Sequence, residues 1–295
     1  MSYLKLYCAD RERFVTGRYL PAGATPAAAD YPLVVAIHGG TYTADYFDIE
    51  GCSLLARASA LGMPIFAVNR PGYADSLPRQ KTDGSIHSNA EILNDALAQL
   101  WELHGGQARG IFLIGHSIGG AIAIRMAALR KRWPLLGLSI SGVGLREPDA
   151  VLEQWKSLPP ADPIEIPAQA KDALMYGPAG SFLPEAQQAA HRSDHAMPRQ
   201  ELLDIAFEWQ RLLDESAPQL EVPVHYRQPE FDHLWVVDDQ EVLGFAQRFV
   251  RAPVIDAKVL KGAGHCIDFH RLGAAFQLEQ LAFALACSAS SCSIR

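Results

Sequence analysis

A serine at position 117 stands with a glycine two residues before it and another two after, in Leu113-Ile114-Gly115-His116-Ser117-Ile118-Gly119-Gly120. An apolar, strand-like run precedes it and a helix-like run rich in small residues follows. Glycines at those places let the chain turn from strand to helix more tightly than Cβ atoms allow, which presents the hydroxyl at the tip of a sheet. Such a turn makes Ser117 a candidate nucleophile rather than a helix-capping serine. A serine hydroxyl is too weakly acidic to attack unaided, so a base must reach its proton.

Of the ten histidines, His265 is the candidate base. It follows the strand-like Ile255–Leu260 and the loop Lys261-Gly262-Ala263-Gly264, which puts it at a strand end on the same sheet edge as Ser117. His116 adjoins the serine and should pack beneath the turn. An imidazole acting as base needs a carboxylate on its other nitrogen to hold the tautomer and offset the transient charge. Asp232 lies just past the strand-like Val222–Arg227 and 33 residues before His265, room enough for one helix and one strand. Glu230, Asp238, Glu147 and Asp149 are rivals for that role, and Asp268 reads as a surface carboxylate. A tetrahedral oxyanion needs two aligned donors. The Ile118 amide, next after the serine, is one candidate. The Gly40 amide in His38-Gly39-Gly40-Thr41 is the other, with Thr41 as the alternative.

The elements that must carry these residues have two rhythms. Tyr3–Cys8 and Phe14–Leu20 read as strands joined by a polar turn, followed by the loop Pro21–Asp30. Four short, continuously apolar runs come next, at Leu33–Ile37, Pro64–Val68, Ile111–Ile114 and Leu135–Ile140, as in strands buried on both faces of a parallel sheet. Helical patterns at Ser53–Leu61 and Ile86–Leu103 lie between them, so the fold class is α/β with right-handed crossovers. The rhythm breaks over residues 145–220, where proline-rich sequence gives way to helix-like Ala168–Tyr176 and Arg199–Leu213, an inserted helical cap. The core is then residues 1–144 and 221–286, closed by a helix over Leu272–Ala286, with 287–295 expected to be a flexible tail.

Composition narrows the function. The chain has 295 residues, 49% of them hydrophobic and 20% charged, which suits a globular protein with a large core. A formal charge of −7 gives no basic field for nucleic acid. The opening residues, MSYLKLYCADRERF, lack the features of a secretory signal, and no segment has about 18 consecutive apolar residues, so a cytoplasmic protein with no membrane span is expected. Five scattered cysteines show neither a disulfide framework nor zinc spacing, so no metal is expected.

Taken together, HGG before the first helix, Arg70-Pro71-Gly72-Tyr73-Ala74-Asp75-Ser76, GHSIGG, GAGH and the order Ser117, Asp232, His265 resemble the α/β-hydrolase superfamily from about residue 3 to residue 285. The resemblance implies an eight-stranded, mostly parallel sheet, a lid inserted after the sixth strand and no cofactor. Asn69 stands where many relatives carry Asp, and the serine separates this chain from the dehalogenase and epoxide hydrolase branches, which use Asp there. The expected activity is hydrolysis of an ester or thioester with a small to medium apolar acyl group, through an acyl-enzyme on Ser117. Carbon–carbon bond hydrolysis, a lyase or cyclase reaction on the same site, and a non-catalytic ligand receptor are the alternatives.

Overall fold

The computed structural model describes residues 1–23, 31–106 and 108–290. Most of the loop expected before residue 31, and Cys292 with the rest of 291–295, lie outside them. Strands β1 (Ser2–Tyr7), β2 (Phe14–Leu20), β3 (Leu33–Ile37), β4 (Ile65–Asn69), β5 (Ile111–His116), β6 (Leu135–Ser141), β7 (Val224–Phe231) and β8 (Ile255–Gly264) form one sheet. Its order is β1-β2-β4-β3-β5-β6-β7-β8. The pairs β1–β2 and β2–β4 are antiparallel; all the others are parallel.

The unbroken apolar runs have a simple cause. Successive strand residues point to opposite faces, and both faces of this sheet are covered. Leu33, Val35 and Ile37 join α2 (Ile86–His104) and α3 (Ile118–Ala128) in one core, while Val34 and Ala36 join α1 (Leu54–Ala60) and α10 (Gly273–Ser290) in the other. Burying each such side chain contributes about 1.5–3 kcal/mol. A charge on either parity of β3 would therefore sit in apolar surroundings.

Between β6 and β7 lie α4 (Asp149–Ser157), α5 (Ala168–Met175), α6 (Pro184–Ala190), α7 (Arg199–Leu203) and α8 (Trp209–Ser216). A π-helical turn, Asp204–Glu208, joins the last two. Helix α9 (Asp239–Ala246) separates β7 from β8 and is N-capped by the Asp238 side chain. The tail expected from residue 287 is corrected by the structure. Helix α10 continues to Ser290, because Cys287 and Ser288 are buried, Cys287 in the α1–α10 core.

Candidate active site

Ser117 sits between β5 and α3 with φ 54° and ψ −127°, a left-handed backbone that a residue with a Cβ adopts only when its surroundings impose it. The surroundings here are the glycines. A Cβ on Gly119 would lie 2.1 Å from the Ile37 carbonyl oxygen, and one on Gly115 would lie 2.6 Å from the Gly119 oxygen. Hydrogen bonds hold the turn on both sides, from Ser117 N to the Ser141 carbonyl (2.7 Å) and from Gly120 N to the Ser117 carbonyl (2.7 Å). The His116 ring packs beneath, stacked on Tyr46 at 4.8 Å, and burial holds it well below the ordinary histidine value.

Asp232 and His265 meet. His265 Nδ1 is 2.9 Å from Asp232 Oδ2, and both residues are buried. Gln228 Nε2 donates to the same oxygen (2.9 Å) and Leu234 N to Oδ1 (3.0 Å), so the carboxylate is fixed by neutral donors from its own strand and loop. The His265 ring lies 4.9 Å from that of His116, the residue before Ser117. Of the rivals, Glu147 lines the Ser117 cavity and accepts from Trp155 Nε1 (2.9 Å) rather than from His265, and the other three are employed elsewhere. Glu230 accepts from Gly262 N (2.8 Å), Asp238 caps α9, and Asp149 lies in the first turn of α4. Asp268 is not a surface carboxylate; it is buried, accepting from Tyr46 (2.8 Å) and Gln277 (2.6 Å), and this ties α10 to the loop after β3.

Gly40, Thr41, Ser117 and Ile118 line one cavity of about 50 Å³, whose other walls come from α4, α5, the segment around α7 and the loop after β7. The Gly40 loop is held by charges that the sequence does not announce. Arg70 donates to the Gly39 carbonyl (3.0 Å) and is paired with Glu201 of α7 (2.6 Å), both completely buried. Tyr73 completes the cluster by donating to Glu201 Oε2 (2.9 Å). The neutral His38 ring, held well below its ordinary value by burial and by Arg70, donates from Nδ1 to the same Gly39 carbonyl (2.8 Å). On the far side, Lys171 of α5 donates to the Thr41 carbonyl (2.7 Å), pairs with Asp194 and lies 3.3 Å over the Tyr42 ring. Thr41 has φ 62°, so this ammonium secures a strained peptide. Two buried cations thus grip the carbonyls on either side of the Gly40–Thr41 peptide, and each is paired with a carboxylate supplied between β6 and β7.

The arrangement offers a serine on a strained turn that shares a small cavity with Gly40 and Ile118, and an imidazole–carboxylate pair whose ring lies beside His116, the residue before that serine. A family model of the alpha/beta hydrolase family matches residues 34–275, and the chain belongs to that family. Protein phosphatase methylesterase 1 of Bos taurus is 26% identical over 117 residues, 40% of this chain and 29% of that protein. An esterase of Mycobacterium tuberculosis is 34% identical over 98 residues, 33% of this chain and 28% of its own. Each of these matches spans less than a third of the relative's length. In three dimensions, a thermostable carboxyl esterase from Bacillus coagulans superposes with a TM-score of 0.70 at 16% identity, covering 98% of this chain and 99% of that one. No helix among the described residues is long and apolar enough to cross a membrane.

Proposed function

We propose that the protein is a serine hydrolase of carboxylic esters or thioesters. The observation that carries this reading is the strained Ser117 turn opening α3 in a cavity shared with Gly40 and Ile118, on the sheet edge where His265 is bonded to Asp232. In the proposed cycle, Ser117 Oγ attacks the acyl carbon and His265 Nε2 takes its proton. Asp232 holds the Nδ1 tautomer and offsets the imidazolium. The Gly40 and Ile118 amides receive the oxyanion, which collapses to an acyl-serine as His265 returns the proton to the leaving group. Water then repeats the sequence and releases the acid. The named esterases among its relatives support the bond type.

The cavity favours short to medium apolar acyl groups. Each methylene it buries contributes about 0.8 kcal/mol until the space is filled. A fluorophosphonate should label the protein once, at Ser117, and hydrolysis of short acyl esters should disappear in Ser117→Ala. Undiminished labelling of the folded variant, read by intact-protein mass, would refute the assignment.

A further inference from the structure

Five carboxylates are buried among the described residues, and four of them are satisfied on both oxygens. Asp204 accepts from Ile86 N and Gln200, Glu201 from Arg70 and Tyr73, Asp232 from His265, Gln228 and Leu234 N, and Asp268 from Tyr46 and Gln277. Glu147 is the exception. At 8% exposure it accepts one neutral donor, Trp155 Nε1 on Oε2 (2.9 Å), and Oε1 has no hydrogen-bond partner among the described residues. Oε1 is accessible rather than enclosed and has no cation beside it, so it is placed to take a partner that enters the cavity.

Glu147 lines the same cavity as Ser117 and is the one charged side chain on its walls among the described residues. Trp155 and Trp235 stand beside it, with the thioethers of Met175 and Met197. Both indole N–H groups are already committed, Trp155 to Glu147 and Trp235 to the Gly142 carbonyl (3.1 Å), so neither is free to donate to a ligand. Indole faces and a carboxylate together suit an organic cation. With Glu147 ionised, they give no donor to an anion or to a carbonyl.

We infer that Glu147, with Trp155 and Trp235, forms an ammonium subsite at the α4 side of this cavity, and that the substrate carries a protonated amine on its alcohol portion, with the apolar acyl group against the other walls. Calling the ligand a substrate rests on the ester-hydrolase reading; the subsite itself does not. Burial pushes the Glu147 carboxyl up to about 7, with the Trp155 donor pulling it back and Asp232 adding repulsion, so an incoming cation draws it into the charged form. The overall charge of −7 also favours the approach of cations over anions.

Two pairs of near-isosteric probes test this. Trimethylammonium and tert-butanol are compared by calorimetric binding, and dimethylaminoethyl acetate and isopentyl acetate by kcat/KM. The cationic member should be preferred by about tenfold or more in both pairs. In Glu147→Gln, whose amide oxygen still accepts from Trp155, both ratios should fall towards one. A ratio near one in the unaltered protein overturns the subsite, with no variant needed. Ammonium binding without hydrolysis of either ester would overturn the esterase reading and leave the subsite standing.

Discussion

The two halves of the candidate site are supported in opposite ways. The Asp232–His265 half is built wholly from β7, β8 and the loops that leave them, and its carboxylate is steadied by neutral groups within two to four residues along the chain. The Gly40 half is held by Arg70 and Lys171, whose carboxylate partners lie in the segment between β6 and β7. The Asp232 carboxylate is therefore held without charges from the β6–β7 segment, although the loop after β8 meets that segment through Cys266 N and the Met175 carbonyl (2.9 Å), whereas the Gly40 loop leans on its carboxylates. Loss of the carboxylates of that segment should reach the proposed oxyanion donors and spare the bond between Asp232 and His265.

The largest effect tests the Asp232 side. Asp232→Asn should lower kcat by about three to four orders of magnitude, because a neutral amide favours the wrong imidazole tautomer and cannot offset the imidazolium. The unfolding temperature should hardly move, since the amide keeps an oxygen for Leu234 N. A loss below tenfold in steady-state assays would place the acid elsewhere and remove this side of the contrast.

Next come the two cations. Lys171→Met and Glu201→Gln should each reduce kcat by about ten- to a hundredfold with KM nearly unchanged, since an oxyanion donor commonly contributes about 10²–10³ in kcat and here it is misaligned rather than deleted. Their stabilities should differ. Glu201→Gln leaves the Arg70 charge buried and unpaired at a cost of about 3–5 kcal/mol, whereas after Lys171→Met the Asp194 carboxylate, which is 31% exposed, still has His191 Nδ1 at 2.9 Å. Denaturant melts beside the kinetics separate the two effects. A normal kcat in Lys171→Met would make the Gly40 loop self-supporting.

The smallest effect concerns the cap carboxylate that has no cation. The Glu147 carboxyl in the fold lies above its ordinary value, so the folded state holds this proton more tightly than the unfolded chain. Its contribution is therefore full in acid and is lost as pH rises from about 4.5 through about 7. Glu147→Gln should match the parent protein in acid and gain up to about 3 kcal/mol above neutrality. Urea melts across that range would show the gain, and a parallel pair of stability curves would mean that folding leaves the Glu147 carboxyl at its unfolded-chain value.

The same contrast explains what could be read from sequence. Leu33–Ile37 and Ile111–Ile114 announce themselves as strands because burial on both faces leaves no polar position, and Ser117 lies at the end of such a run, whereas His265 follows the half-exposed edge strand β8. Asp232 follows from its place after β7. The cation clamp was illegible, although Arg70 stands in a visible motif, because its partner is 131 residues away on a helix of ordinary composition. Lys171 likewise reads as a solvent-facing residue of α5, and only packing places it under Thr41. Helix α4 was hidden behind proline-rich sequence. Asp268 looked like surface for the same reason as Lys171: the groups that bury it, Tyr46 and Gln277, come from remote parts of the chain.

The separation between Arg70 and Glu201 has a consequence for the order in which the protein is made. At about 5–20 residues per second, the 131 positions between them occupy a ribosome for roughly 7 to 26 seconds, during which Arg70 exists without its carboxylate. A guanidinium in that state belongs in water, so the loop it carries must stay undocked while β5, α3 and β6 are already available to assemble. Nascent chains that stop before residue 201 should therefore expose this loop to proteases, and chains a few turns longer should begin to hide it.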